Sequence, residues 1–558
     1  MLKNLKLHLE GIPQISNVEV SGQKLNLDWV GAKRHGMYLQ IEESFPLRLP
    51  NVYVKNPSDY VFFPHVSWSG QVCYTDGQSV NIDTSVPELV VERVVTLAGQ
   101  ILDSNTALDD AFWDEFEGYW NNQNSRFICI CAFEPSNSFE ILEARVDSND
   151  RPSIVYSPPW DESYPSDLKA SEFWNNGVHV AYYCPLARQF GFPQPGAQIS
   201  IDELKAAIAS MSDEDQSKFR EARHGGSIRE RKMRNRRPLN IIFSMPRPSG
   251  GRSMFAVSVA YGNQVLDGNP ELFETGALPG KIQRLSHEYT THRCGGEVAL
   301  GEFRIGIVGV GSLGSAVAEL LVTSGVKNLH LIDYDAFTPD NLYRHSLPTK
   351  YLGRNKACAL AEYLKSQYPD ISAVSDPRNI FDCNYLRKLG VDALLVAVGD
   401  PTLERAISRE LPAPIVVTAW LEALGLGGHA VLDDSVVGCL SCLYHRDSSP
   451  VLSSITSMIE PGVVVSRNLT GCEGSFVPFG SMDVAQTAVI AARLLTGRLL
   501  GQLTQKYSYW CGSQRAAKQH GIKTTNWFRD CDSDEARQEI QQRFGNGCPV
   551  CKQRVASK

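Results

Sequence analysis

Apolar and polar positions change their period along the chain. From residue 1 to about 125, short β-prone runs come first (Ile15 to Leu27, Gly36 to Ile41, Tyr53-Val54), with proline-marked turns at Phe45-Pro46 and Leu49-Pro50. Helical spacing follows: Leu89, Val90, Val94, Leu97 and Ile101 mark one helix over Val86 to Leu102, and Leu108 to Trp120 reads as a second. Strands first and helices after predict an α+β unit. Between 126 and 285 the pattern is a β-prone Phe127 to Phe133, loops at Pro158-Pro159 and Tyr164-Pro165, one amphipathic helix over Ser200 to Arg220, a strand at Leu239 to Ser244 and a turn at Pro246 to Arg252. This reads as a linker domain, α/β or α+β. From 286 to 558 strand and helix alternate, the pattern of an α/β fold, and no internal repeat is visible. The expectation is three domains: 1–125, 126–285 and 286–558.

Composition adds exclusions. In 558 residues, 43% hydrophobic and 21% charged is ordinary for a folded protein, and 54 basic against 62 acidic residues gives a net charge of −8, the wrong sign for a nucleic-acid binder that works by bulk charge. The basic run Arg229, Arg231, Lys232, Arg234, Arg236, Arg237 reads as a solvated face, with a docking site for an acidic partner as the alternative. The first residues carry Lys3, Lys6, His8 and Glu10, unlike a signal peptide. The charge-free stretch Ile305 to Ala318 is broken by Glu319, short of the roughly 20 apolar residues a membrane span needs. Fourteen cysteines are too few for a disulfide scaffold. A cytoplasmic protein with no membrane contact is expected, its pairs of cysteines two residues apart pointing to metal or thiol chemistry.

Arg304 to Val310 is a buried-strand run that Gly309-Val-Gly311-Ser-Leu-Gly314 turns into a helix over Ser315 to Val322, the arrangement that sets a phosphate at the positive end of a helix. The next strand, Asn328 to Ile332, ends in Asp333, where a carboxylate can accept from ribose hydroxyls. NAD and ATP fit that much equally. Asp335, Asn341, Arg344 and Lys356 follow, with Asp400 after the later strand Ala393 to Val398, and these supply cations for a triphosphate under attack and a carboxylate for Mg²⁺. The alternative is an NAD-binding or scaffolding Rossmann domain on which Arg344 and Lys356 are ordinary surface charges. With Asp333-Tyr-Asp335 and Asn341-Leu-Tyr-Arg344 in this order, the segment resembles the ubiquitin-activating superfamily that includes ThiF and MoeB. The resemblance implies Asp333 on the ribose, Asn341, Arg344 and Lys356 on the phosphates, Asp400 on magnesium, and a homodimer.

Cys439-Leu-Ser-Cys442 and Cys548-Pro-Val-Cys551 are two knuckles whose spacing suits one tetrahedral Zn²⁺, redox dithiols being the alternative. The same superfamily carries two such knuckles, one midway and one near the C-terminus. Cys472, in Asn468-Leu-Thr-Gly-Cys472-Glu-Gly-Ser ahead of an apolar helix over Phe479 to Leu495, is placed like that superfamily's crossover-loop cysteine, which attacks the acyl adenylate to form a thioester. A buried inert thiol is the other reading.

Upstream, Phe62-Phe63-Pro64-His65-Val66-Ser-Trp-Ser-Gly70-Gln-Val72-Cys73 resembles the active-site stretch of ubiquitin-conjugating enzymes over roughly residues 20 to 120, with Pro64, Gly70 and Cys73 in register. Phe63 stands where that family has histidine and His65 where it has the asparagine that supports the oxyanion. A histidine can donate the same hydrogen bond with more pH dependence, or it simply packs and shapes the loop. Asp109 or Asp110 is a candidate for orienting an acceptor lysine, although adjacent acids in a loop are more often solvated.

The domain order resembles the bacterial fusion proteins of CBASS anti-phage operons, which attach a cGAS-like nucleotidyltransferase through its C-terminus to a target. That resemblance implies ATP-dependent adenylation of a partner's C-terminal carboxylate, a thioester on Cys472, transfer to Cys73 and ligation to a lysine. The alternatives are the same chemistry with a bacterial ubiquitin-like modifier, or a sulfur-carrier adenylyltransferase whose N-terminal domain is not catalytic.

Overall fold

In the computed structural model of the chain, the first strand-like run folds back on itself at Gly22, giving β1 (Ile15–Ser21) and β2 (Lys24–Val30) rather than one strand. The structure describes residues 1–75, 81–122, 127–147, 153–157, 178–191, 199–225, 238–260, 266, 277–368, 370–380, 383–444, 452–468 and 475–556. Cys472, the basic run from Arg229 to Arg237 and the two proline-marked loops near 158 and 164 lie outside the described residues. The described residues fall into two compact units, one up to Leu285 and one from Ser286 on.

In the first unit, β1 and β2 continue into β3 (Arg34–Gln40), β4 (Asn51–Val54) and β5 (Gln71–Val72) as an antiparallel meander. Alternate residues of β2 and β3, Leu25, Leu27, Met37 and Leu39, are fully buried on one face. Helices α1 (Leu2–Glu10) and α2 (Pro87–Ser104) cover that face with Leu5, Leu9, Val91, Val95 and Ala98. Asp103 at the end of α2 accepts from Trp29 Nε1 (2.8 Å) and bonds His35 Nε2 (3.2 Å), tying helix to sheet.

Helix α3 (Asp110–Asn121) packs elsewhere. The middle segment forms a closed seven-stranded barrel of β6 (Phe127–Cys131), β7 (Glu140–Asp147), β8 (Ser153–Ser157), β9 (Val178–Pro185), β10 (Leu239–Pro246), β11 (Arg252–Val259) and β12 (Leu278–Arg284), in the order β10-β11-β12-β6-β8-β7-β9. It closes through a parallel β9–β10 pair. The two-residue period of its strands sends Cys129, Cys131, Tyr183, Ile242, Met254 and Ile282 into the barrel interior. Outward-facing Ile241, Phe243, Phe255 and Val257 meet α3 and the helices α4 (Ile201–Ala209) and α5 (Asp213–His224). The single helix expected over Ser200 to Arg220 is therefore two, because Ser212 accepts from Asp215 N and caps a new start. The α+β class stands, with the sheet curled into a barrel.

Phe112, Phe116, Tyr119 and Trp120 of α3 lie in the barrel's outer core. Polar contacts fasten the same helix along its length: Asp114 accepts from Ser249 N and Oγ (3.0 and 2.7 Å), Glu117 from Arg284 Nε and Nη2 (2.9 and 2.6 Å) and Met254 N (2.8 Å). Trp120 Nε1 donates to Gly280 O at 2.9 Å.

The second unit begins with α6 (His287–Arg293), then β13 (Arg304–Val308), α7 (Ser312–Thr323), β14 (Asn328–Ile332), α8 (Lys356–Gln367), β15 (Ser372–Asp376), α9 (Cys383–Lys388), β16 (Ala393–Val396), α10 (Pro401–Glu410), β17 (Ile415–Leu421) and β18 (Gly427–Asp433). A short β19 (Arg467–Asn468) and β20 (Ser475–Phe476) pair, α11 (Ser481–Leu499) and β21 (Tyr507–Cys511) follow. The sheet order β15-β14-β13-β16-β17-β18-β21 is parallel up to β17 and antiparallel beyond. Strand order reverses between β13 and β16, the place where such sheets open a cleft at their carboxyl ends. Four helices end the chain: α12 (Gln514–Gln519), α13 (Asn526–Asp530), α14 (Asp534–Asn546) and α15 (Pro549–Ala556). Among the described residues no helix is long and apolar enough to cross a membrane.

Candidate active sites

At the reversal point a cleft of about 630 Å³ is lined by Gly309, Gly311, Ser312, Asp333, Asp335, Asn341, Arg344, Lys356 and Asp400. Gly309 has φ +82°, and a Cβ there would meet Ala397 O at 2.6 Å, so only glycine lets the two strand ends approach. Gly314 does not line the cleft; its Cβ would strike Gly309 O at 1.9 Å, so it seats α7 against the loop. The N-terminus of α7 faces the cleft at Ser312 and Leu313, where free N–H groups favour an anion.

Two side chains hold the glycine loop. Asp333 accepts from Val310 N (2.9 Å) and Asp335 N (2.8 Å), and burial raises its pKa. His345 donates from Nε2 to Val310 O (2.8 Å), its Nδ1 being the acceptor for Leu347 N. Burial pushes this imidazole down to about 4, so the ring is neutral and keeps that tautomer. Lys356, buried at the start of α8, reaches Asp335 Oδ2 at 3.0 Å. Arg344 lies over the Phe479 ring, and its Nε is buried with no hydrogen-bond partner among the described residues. A buried guanidinium nitrogen left unbonded beside a lysine and a helix N-terminus fits a phosphate, whose oxygens would satisfy it. Asp400 caps α10 with Oδ1, accepting from Thr402 and Leu403 N (2.9 and 3.1 Å), which leaves Oδ2 for a cation. Glu404, one turn on, accepts from Gly399 N (3.0 Å), and burial raises its carboxyl to about 7.

The sulfurs of Cys439, Cys442, Cys548 and Cys551 all lie within 4.8 Å of one another. Separations of 4.0, 3.5 and 3.8 Å along three pairs match the about 3.8 Å that four thiolates 2.3 Å from one zinc would show. Cys439 N and Cys548 N point at Cys442 Sγ and Cys551 Sγ, and buried Asp433 bonds Leu440 N and Arg554 around the cluster. The donor set fits structural Zn²⁺.

In the first unit Cys73 follows β5 and is exposed, its backbone N bonded to His65 O at 2.7 Å. A Val66–Val72 bridge closes this loop. His65 has φ +57°, and its Nδ1 lies 2.7 Å from Glu115 Oε1 of α3. Asp109 caps α3, accepting from Phe112 N and Thr106 N, which occupies the carboxylate proposed for an acceptor lysine; Asp110 is exposed.

A family model described as the ThiF family matches residues 291–510, and one described as prokaryotic E2 family B matches residues 13–129. The chain joins a prokaryotic E2 domain to a ThiF-family domain. It is 23% identical over 507 residues to the ATP-dependent ubiquitin transferase-like protein Cap2 of Pseudomonas aeruginosa, covering 88% of this chain and 86% of that protein. Cap2 of Vibrio cholerae is 26% identical over 42% of this chain and 41% of its own. The solved structure of E. coli MccB with ATP superposes with a TM-score of 0.30 at 18% identity, over 43% of this chain and 66% of that one.

Within the E2 domain, Pro64, His65, Gly70 and Cys73 come together in one loop; within the ThiF domain, Asp333, Asp335, Asn341, Arg344, Lys356 and Asp400 share one cleft. Sequence reading missed Glu115, His345 and Glu404. The signal for His345 was its place next to Arg344, and for Glu404 its place one helical turn after Asp400. Glu115 gave none, being one acid on an acidic helix.

Proposed function

We propose that the chain activates the C-terminal carboxylate of a partner protein with ATP and passes it through Cys472 and Cys73 to a lysine. The observation that carries this reading is the buried Nε of Arg344, unpartnered among the described residues, in a cleft shared with Lys356 and the α7 N-terminus. In the first step a carboxylate oxygen bonds the α-phosphorus and the bond to the β-phosphate oxygen breaks, releasing pyrophosphate. Arg344 and Lys356 neutralise the charge that grows on the leaving group, Asn341 offers an amide N–H, and Asp333 holds the glycine loop against the ribose side. Magnesium at Asp400 would supply further neutralisation of the phosphates. Cys472 sulfur then attacks the acyl carbon and expels AMP; Cys73 sulfur displaces Cys472; a lysine amine displaces Cys73, leaving an isopeptide and a free thiol. One polypeptide raises the effective concentration of the second thiol near the first thioester.

Zn²⁺ at Cys439, Cys442, Cys548 and Cys551 would fasten the last helix to the end of β18. A cGAS-like nucleotidyltransferase as acyl donor and anti-phage defence as the setting belong to this reading through the resemblance in domain order to CBASS fusion proteins, and a homodimer through the resemblance to the ubiquitin-activating superfamily; a ubiquitin-like modifier is the other donor of the same chemistry.

The test is a non-reducing gel of the chain with MgATP and the neighbouring gene's product. Wild type should carry a reducible adduct on each cysteine, and Cys472→Ala should abolish loading of Cys73. Adenylation without any adduct on Cys73 would leave an activator only.

A further inference from the structure

We propose that Glu115 is a positioning residue for the chemistry at Cys73: its carboxylate brackets His65 and fixes the imidazole as hydrogen-bond donor to the oxyanion of the Cys73 acyl group. This rests on the conjugating reading of Cys73 given above. Glu115 Oε1 lies 2.7 Å from His65 Nδ1 and Oε2 accepts from His65 N at 3.1 Å, so one side chain holds both the ring and the backbone of the residue. His65 in turn accepts Cys73 N through its carbonyl at 2.7 Å. The imidazole and the thiol therefore leave the backbone from hydrogen-bonded positions across one bridge.

The bracket explains a backbone that histidine adopts at a cost. His65 sits in the left-handed region at φ +57°, which disfavours a side chain unless its surroundings hold it there. With Nδ1–H committed to Glu115, Nε2 carries a proton outward in the imidazolium; Nε2 has no protein partner among the described residues, and the side chain is 31% exposed. Asp114 on Ser249 and Glu117 on Arg284 pin α3 on both sides of Glu115, so the carboxylate is offered from a fixed helix.

The charged groups facing the ring are Glu115 and, more distantly, Asp109; among the described residues no lysine or arginine forms an ion pair with either His65 or Glu115. The Glu115 bond raises the His65 pKa against the opposing effect of burial, and Asp109 adds to the rise. The imidazolium is thus the donor form over a wider range than a free histidine would allow. In the step itself the amine nitrogen bonds the acyl carbon and the carbonyl pair moves onto oxygen, where His65 Nε2–H meets it. The oxyanion then collapses, the C–S bond breaks with its electron pair on Cys73 Sγ, and the amine proton passes to water.

The experiment uses the full chain, loading Cys73 by exchange with a synthetic peptide α-thioester and following discharge to hydroxylamine, a nucleophile largely neutral above neutral pH, by intact mass. The Cys73→Ala chain reports acylation elsewhere. Wild-type discharge should slow as pH rises through the raised His65 pKa. Glu115→Gln should slow it roughly tenfold, part of the hundredfold an oxyanion donor typically supplies, and move the inflection toward the ordinary imidazole value. His65→Asn should keep the rate within a few-fold with a flat profile, and adding Glu115→Gln to it should cost nothing more.

An unchanged rate and profile in Glu115→Gln overturns the proposal, as does a slowing that persists in the His65→Asn background. Should Glu115→Gln not fold, a His65→Asn profile that still follows the wild-type inflection overturns it instead. The chemical loading separates this from the relay: failure of ATP-driven loading with the pH signature intact sinks the relay and keeps the bracket, while successful loading with a flat wild-type profile does the reverse.

Discussion

Removing Glu117 should loosen the first unit by about 3–5 kcal/mol, the usual consequence of leaving one partner of a buried ion pair alone. Its side chain is 14% exposed and that of Arg284 10%, and it accepts three hydrogen bonds, two from Arg284 and one from Met254 N. In Glu117→Ala, Arg284 still donates to Arg252 O at 2.6 Å, so it is not left bare, which places the loss toward the lower end of that range. For a unit of this size each kcal/mol moves the midpoint by about 2–4 °C, so the first-unit transition should fall by roughly 6–12 °C. Calorimetry on the full chain reads it, with MgATP identifying the second-unit transition as the one that nucleotide raises. Glu117→Gln, which keeps an acceptor for Met254 N, should lose about half as much. The double variant Glu117→Ala/Arg284→Met removes both members of the closer pair and should recover much of the loss, since Arg247, 3.5 Å from Glu117 and 30% exposed, can turn to water. A Glu117→Ala change below about 1 kcal/mol, or a double variant no more stable than the single, would refute the claim that this pair anchors α3.

Four further outcomes are expected. Lys356→Ala should abolish ATP–pyrophosphate exchange while shifting the second-unit transition little, because its partner Asp335 is half-exposed and can return to water; a large destabilisation with exchange retained would contradict the phosphate role. Glu404, raised to about 7 from 4.5, makes the folded state the tighter proton binder, so its contribution is complete below about pH 4.5 and is lost as pH rises through 7. Glu404→Gln should remove that loss, roughly 3 kcal/mol, from the pH dependence of second-unit melting. Purified chain should hold one zinc by elemental analysis, and Cys548→Ser should release it and expose the C-terminal helices to protease. A fragment ending at residue 125 should be aggregation-prone and lack a cooperative melt, whereas one ending at 285 should melt cooperatively.

What the sequence showed and what it hid divide by the range of the interactions. The glycine loop, Asp333, Arg344 and Lys356 fall within some fifty residues, on consecutive strands and helices whose order the Rossmann pattern dictates, and they meet in one cleft. The knuckle pairs were legible for the same reason, each holding two sulfurs at fixed separation. Even there, details followed local chemistry that periodicity does not report: α7 starts at Ser312 because the glycine turn itself supplies its first residues, and Gly314 serves packing rather than ligand. Ser212, ahead of Asp213, Glu214 and Asp215, was a helix-start signal that the continuous amphipathic pattern masked. The barrel was hidden because its closure depends on parallel pairs between distant strands, β12 beside β6 and β9 beside β10, which leave no trace in local spacing.

That closure changes the meaning of the middle segment. Phe62 and Trp68, which flank His65 in the Cys73 loop, both bond α3: Phe62 N donates to Tyr119 OH at 3.0 Å, and Trp68 Nε1 donates to Tyr119 O at 2.8 Å with its ring stacked on Tyr119. The other side of α3 is barrel core. Four aromatic side chains of this one helix, each contributing about 1.5–3 kcal/mol by burial, are covered by β10, β11 and their neighbours. Their sum, about 6–12 kcal/mol, is comparable to the whole stability of a typical domain. The helix that steadies the Cys73 loop therefore has no folded alternative without the barrel. A segment that reads as a linker, with no catalytic motif of its own, is what holds Glu115 within reach of His65, and its contribution to chemistry at Cys73 passes through the rigidity of α3 rather than through any residue that touches an acyl group.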